Sequence, residues 1–231
     1  MIIDYNKYSD GLVPAIIQDY KTNYVDVAFS DFVFNNQIYG LPLYVDTLAL
    51  FYNKDILNST GISRPPQDWG EFNSDVETIT RLDGSGQITQ SAAAIGTARN
   101  INRSTDLLSA LMIQTGVRMT DSDNKSASFA SSVSNTPVGE SAQKYYTDFA
   151  NLSVRTYTWN DVQHYSIDAF TEGKTAMMFN YSHQAGILKN KSSRLNFGVA
   201  PMPQVSSTDI KNYANYWGVG VSASSKSPNE S

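Results

Sequence analysis

Two short apolar runs constrain this chain most. Thr47-Leu48-Ala49-Leu50-Phe51-Tyr52-Asn53 and Thr175-Ala176-Met177-Met178-Phe179-Asn180 are apolar between their polar ends. Each has the length of a strand, and no run in the chain approaches the roughly 18 residues that span a bilayer. A strand with one wet face alternates apolar and polar residues; a strand covered on both faces does not. Both runs therefore read as buried strands.

The rest of the chain supplies helices and further strands. Val13-Pro14-Ala15-Ile16-Ile17 and Tyr24 to Phe34 read as a helix or two with loops, and Gln37 to Tyr44 opens an extended segment. Asn53-Lys54-Asp55 ends the first buried run and leads into a short helix. Pro66 stops what precedes it, and Asp68 is placed to cap a helix from Trp69 to Leu82, with Glu71 in its first turn. Asp83-Gly84-Ser85-Gly86 is a turn, followed by a strand over Ile88 to Ile95. Ser104 reads as the N-cap of a helix over Thr105 to Thr115, where Leu107, Leu108, Leu111 and Met112 form an apolar face. A short strand is expected after Gly116, then a polar loop from Asp121 to Ser128. Helices follow over Gly139 to Leu152, around Ile167 to Phe170 with Gly173 as its stop, and over His183 to Lys189. Strands are expected over Phe197 to Pro201 and Tyr216 to Ala223. Helices alternate with strands, which is the α/β pattern.

Composition narrows the function. The 231 residues are 41% hydrophobic and 17% charged, a globular balance. Net charge is -5 and no segment concentrates Lys or Arg, so no basic face exists to neutralise phosphates, and nucleic acid is not an expected partner. The absence of cysteine excludes disulfides, thiolate metal sites and cysteine nucleophiles. His164 and His183 lack metal spacing, and Asp121-Ser122-Asp123-Asn124-Lys125-Ser126 lacks the glycine of a calcium loop, so no metal and no cofactor are expected. The 14 tyrosines in a charge-poor chain suit either core edges or stacking on the apolar faces of sugars. Met1-Ile2-Ile3-Asp4-Tyr5 lacks the basic and apolar regions of a signal peptide.

Five segments then fall in a familiar order. Ile38-Tyr39-Gly40-Leu41-Pro42 followed by Thr47 to Asp55, and Pro65-Pro66-Gln67-Asp68-Trp69-Gly70-Glu71-Phe72, resemble landmarks of family-1 extracellular solute-binding proteins, the capture subunits of ABC importers. The second resembles the family's P-x-T-W-x-E-F helix start, with Asp68 in place of Thr. Ala169 to Met177 is similar to its F-x-x-G-x-x-A-M element, Phe197 to Pro203 to its G-x-x-P-x-P return strand, and Tyr216 to Val221 to its Gly/Trp strand. The resemblance covers Ile38 to Asn229. It implies a type II periplasmic-binding-protein-like α/β fold: mostly the second lobe, hinge strands and a remnant of the first. The expected parts are residues 1–46 (first-lobe remnant and hinge), 47–195 (second lobe) and 196–231 (return hinge strand and first-lobe segment). Family members carry a signal peptide or lipoprotein cysteine and about a hundred first-lobe residues before the position of Tyr39, so the chain reads as truncated at both ends.

The resemblance also implies a site. Ligand would sit between two lobes, with Tyr44 and Asp46 at the hinge, Asn102 and Arg103 on the second lobe's rim, and Tyr165, Asn180, Tyr181 and His183 around the second buried strand. Tyr216 and Trp217 complete the set. His183 stands where a stacking tryptophan is expected. A carboxylate such as Asp46 accepts two hydroxyl hydrogen bonds at once, which suits a sugar; it equally suits a residue capping a local turn. The implied function is capture of a sugar or related polyol by a monomer outside the cytoplasm, for delivery to ABC permease subunits, without catalysis. Two alternatives stand beside it: a carbohydrate-active enzyme pairing two of Asp46, Asp161 and Asp168, and an interaction module with no small ligand.

Overall fold

A computed structural model describes residues 13–130, 132, 136–222 and 224–226. Met1 to Tyr5, Ala223 and Asn229, which figure in the expectations above, lie outside the described residues. In chain order the elements are α1 (Val13–Asn23), α2 (Asp26–Phe32), β1 (Val33–Phe34), β2 (Gln37–Ile38), β3 (Leu41–Asn53), α3 (Lys54–Ser59), α4 (Trp69–Ile79), β4 (Arg81–Leu82), β5 (Ile88–Ala94), α5 (Ser104–Gln114), α6 (Val138–Asp148), α7 (Ser166–Thr171), β6 (Thr175–Tyr181), α8 (Gln184–Lys191), β7 (Phe197–Pro201) and β8 (Ala214–Val219). The chain forms two compact units, Met1–Asp46 with Ala214–Ser231, and Thr47–Tyr213.

In the larger unit the sheet runs in the order β4-β5-β6-β3-β7. β5 and β6 are parallel, whereas β3 is antiparallel to both β6 and β7. Every residue of β6 is buried, as its unbroken apolar sequence requires. Alternate side chains enter opposite layers: Met177, Phe179 and Tyr181 join one cluster with Leu48 and Leu50, while Met178 joins another with Phe51. Trp69, Phe72, Val76, Leu107, Leu111 and Ala142 from α4, α5 and α6 cover the first face. Trp159, Ala169, Phe170 and Leu188 cover the second. At the pair Tyr52–Gly198 of β3 and β7 a Cβ on the glycine would lie 2.4 Å from the Tyr52 ring, so only glycine admits that ring.

Local chemistry fixes the boundaries. The Asn53 side chain accepts from Asp55 N and Ile56 N and starts α3. Asp68 accepts from Glu71 N at 2.8 Å, as its N-cap position predicts, and Glu71 accepts from Gln67 N at 2.9 Å and binds Arg64. Gly173 ends the α7 region with φ +72°.

Several expectations fail: the helix expected to reach Leu152 ends at Asp148, the strand expected over Tyr216 to Ala223 is Ala214–Val219, and three more differ. Helix α4 stops at Ile79, because Thr80 is extended and Arg81 and Leu82 pair with β5. Ser104 is not an N-cap: α5 begins at Ser104 itself, after Arg103, and the Ser104 hydroxyl donates to Ala98 O. After Gly116 there is no strand among the described residues but a single bridge, Thr120–Ala127, around a turn in which Asp121 accepts from Lys125 N.

In the smaller unit β1 and β2 form a hairpin through Asn35 and Asn36, both at positive φ, as a tight two-residue turn requires. Tyr20 is buried and donates to Gly40 O at 3.1 Å. Strand β8 pairs with β3.

Candidate functional site

Loops at the carboxyl ends of the parallel strands β5 and β6 are where open α/β sheets place ligands. In the larger unit the chain leaves β5 through residues 95–103 to reach α5, and leaves β6 at Tyr181 to reach α8. Asn102 and Arg103 lie on the first connection, Asn180, Tyr181 and His183 on or after the second strand, and Tyr165 just before α7.

Hydrogen bonds join these residues into one network. Asn180 donates from Nδ2 to Asn102 Oδ1 at 3.2 Å, and its own Oδ1 accepts from Tyr181 N at 2.9 Å and Arg103 Nε at 3.4 Å. Asn102 Nδ2 donates to the Tyr165 hydroxyl at 2.7 Å, and Asn102 N donates to Ser166 Oγ at 3.0 Å. The Arg103 guanidinium lies over the Tyr181 ring, 4.7 Å from its centroid, a cation–π contact. Tyr181 donates from its hydroxyl to Asp106 Oδ2 at 2.8 Å. Burial, then that hydrogen bond and the Asp106 charge, push the Tyr181 pKa up, so the phenol stays a donor.

The network has depth. Asn180 and Tyr181 are fully buried, Asn102 and Arg103 half-buried, and Tyr165 is 41% exposed. Asn180 and Tyr181 therefore hold the rim residues, while Asn102, Arg103 and the Tyr165 ring present to solvent. The His183 ring is exposed and stacks on Tyr181, with centroids 6.1 Å apart. A second polar knot braces the loop from behind: Asn100 Nδ2 donates to Asn160 O and Gln163 O, and Trp159 Nε1 donates to Asn100 Oδ1 at 3.1 Å.

Tyr44, Asp46, Tyr216 and Trp217 belong to the smaller unit. Tyr44 is exposed on β3, Asp46 half-buried, and Trp217 is 68% exposed on β8. The Tyr216 hydroxyl donates to Asp31 Oδ2, and its ring meets Phe32 edge-on at 5.6 Å. Sequence reasoning missed Asp106 and Ser166. Asp106 stands three residues after Arg103 in the first turn of a helix, a spacing that puts both on one side.

The profile of the family described as bacterial extracellular solute-binding protein matches residues 3–231. The chain belongs to that family. This solute-binding protein is 25% identical over 190 residues to a protein of Brucella abortus (strain 2308) named as a binding protein, a match covering 80% of this chain and 42% of that relative. Over 55 residues it is 29% identical to the galactooligosaccharide-binding protein of Bacillus subtilis (strain 168), covering 24% of this chain and 13% of that relative. Among solved structures it resembles the GacH receptor of Streptomyces glaucescens, with TM-score 0.63, 22% identity and coverage of 89% of this chain and 49% of that one. It also resembles UgpB of Mycobacterium tuberculosis, with TM-score 0.66, 19% identity and coverage of 93% and 50%. The fold is periplasmic-binding-protein-like. The chain spans about half the length of these relatives, or less.

Proposed function

We propose that this chain belongs to a protein that captures a sugar, oligosaccharide or related polyol outside the cytoplasm and hands it to the permease subunits of an ABC importer. It acts by binding, as a monomer, without catalysis. The observation that carries this reading is the polar, hydrogen-bonding rim formed by Asn102, Arg103 and Tyr165 over the buried Asn180 and Tyr181. Amide, guanidinium and phenol groups supply directional hydrogen bonds to hydroxyls, and exposed aromatic faces at Tyr165 and Trp217 suit the apolar face of a pyranose. Tyr44, Asp46, His183 and Tyr216 are proposed as further contacts. Two solved relatives hold sugars, the GacH receptor in complex with acarbose and another with mannobiose, whereas UgpB holds the phosphodiester glycerophosphocholine.

The enzyme alternative needs paired carboxylates, whereas Asp168 is engaged by Lys191 at the surface. Calorimetry and saturation-transfer NMR with mannotriose and maltotriose test the proposal. Binding without turnover is expected, in the millimolar range for this chain, because the relatives are about twice as long. Release of reducing ends from either glycan would overturn it.

A further inference from the structure

Asp106 belongs to none of the ligand contacts named so far, yet it shares a support with Arg103. The Tyr181 ring carries the guanidinium over its face and Asp106 Oδ2 at its hydroxyl, so a full positive and a full negative charge flank one buried phenol. Both are half-buried and lie three residues apart at the start of α5. Arg103 spends Nε on Asn180, and among the described residues its terminal nitrogens have no hydrogen bond or ion pair. Asp106 spends Oδ2 on Tyr181; among the described residues its Oδ1 meets only the exposed Thr105 hydroxyl, at 3.3 Å. An ionised carboxylate accepts about four hydrogen bonds, so Asp106 keeps acceptor capacity beside the free donors of Arg103. Tyr213 also lies close enough for the Asp106 charge to push its phenol pKa up, behind burial as the larger cause.

We infer that Asp106 is a specificity-determining residue of this site, selecting neutral polyhydroxylated ligands over anionic ones. The inference rests on the capture reading above and goes further by naming the ligand's charge. A pair of neighbouring hydroxyls satisfies both groups at once, one donating to Asp106 and the other accepting from Arg103. A phosphate or carboxylate only accepts. It pairs with Arg103 but meets the like charge of Asp106, and such juxtaposition is how binding sites reject wrong partners. Asn102, Asn180, Tyr165, Ser166 and Tyr181 are neutral, so none of these offsets that repulsion.

The test compares mannotriose and maltotriose with mannose 6-phosphate and inorganic phosphate, by saturation-transfer NMR and chemical-shift titration of the chain. The wild type is expected to bind the better neutral sugar at least about tenfold more tightly than either anion. Asp106→Asn keeps an acceptor for the Tyr181 hydroxyl and so preserves the fold, yet should narrow that ratio by about tenfold. Arg103→Gln, outside the core clusters, should move it the other way by abolishing residual anion binding. An Asp106→Asn protein that binds sugar and anion with an unaltered ratio, or a wild type that prefers the anion, overturns the inference while leaving capture intact. Failure of the wild type to bind any of the four probes overturns the capture reading and the inference with it.

Discussion

Asp75 lies on α4 one turn beyond Glu71, and burial, reinforced by the Glu71 charge, pushes its pKa from 3.8 up to about 6. Glu71 moves oppositely, held at about 2 chiefly by its hydrogen bond to Arg64 and then by Gln67 N. The two carboxylates therefore give opposite pH dependences. Folding raises the Asp75 pKa, so between 3.8 and about 6 the native state holds more of this proton than the unfolded chain. Stability contributed there falls as pH rises through the window and stays low above it. Glu71 stabilises above its usual 4.5, and that contribution is lost as pH falls toward 2. Asp75→Asn removes only the first effect. Its urea midpoint should match the wild type at pH 3.5 and exceed it at pH 7, with the gap opening between about 4 and 6. A gap already complete at pH 3.5 would show that Asp75 does not titrate in this way.

Between elements, Gln114 at the end of α5 makes three long-range hydrogen bonds. Its Oε1 accepts from Trp69 Nε1 at 2.8 Å, and its Nε2 donates to Pro203 O and Lys211 O, both at 3.1 Å. One buried amide thus ties α4, α5 and the segment after β7. Gln114→Leu fills similar volume but strands an indole N–H and two carbonyls, so a loss of about 2–4 kcal/mol is expected. A thermal midpoint lowered by less than about 2 °C would show that water replaces the amide. Nothing in the sequence marks Gln114, because its partners are 45 to 97 residues away. What sequence does expose is local: the unbroken apolar runs of β3 and β6, the caps at Asn53 and Asp68, and the stop at Gly173. The same limit governs the site. Asn102, Arg103, Tyr165 and Asn180 are legible through the family resemblance, whereas the Asp106–Tyr181 bond, across 75 residues, has no sequence signal. Ser104 misleads because a serine before an apolar run reads as a cap, although its hydroxyl turns back to Ala98 O instead.

For the whole molecule, the two units differ in how much apolar core each owns. Both hydrophobic clusters, from Leu48 to Met202, fall inside Thr47–Tyr213. In the smaller unit the buried apolar residues among those described are Tyr20, Ala28 and Ile38, beside a cavity of ≈ 390 Å³ lined by Ile16, Tyr24, Leu41 and Val219 among others. Burial of apolar area is the main favourable term in folding, and a unit with its own core can fold alone. The fragment 47–213 is continuous, includes the β5-β6-β3-β7 pairing and keeps the entire Asn102–Asp106–Asn180 network. Expressed alone, it should give native-like circular dichroism and a cooperative melt. Brief chymotrypsin treatment of the whole chain should cut the smaller unit first, since local opening is easiest where few apolar contacts are buried. A fragment 47–213 that lacks a cooperative transition, while the whole chain retains one, would mean that the larger unit depends on the smaller for its stability.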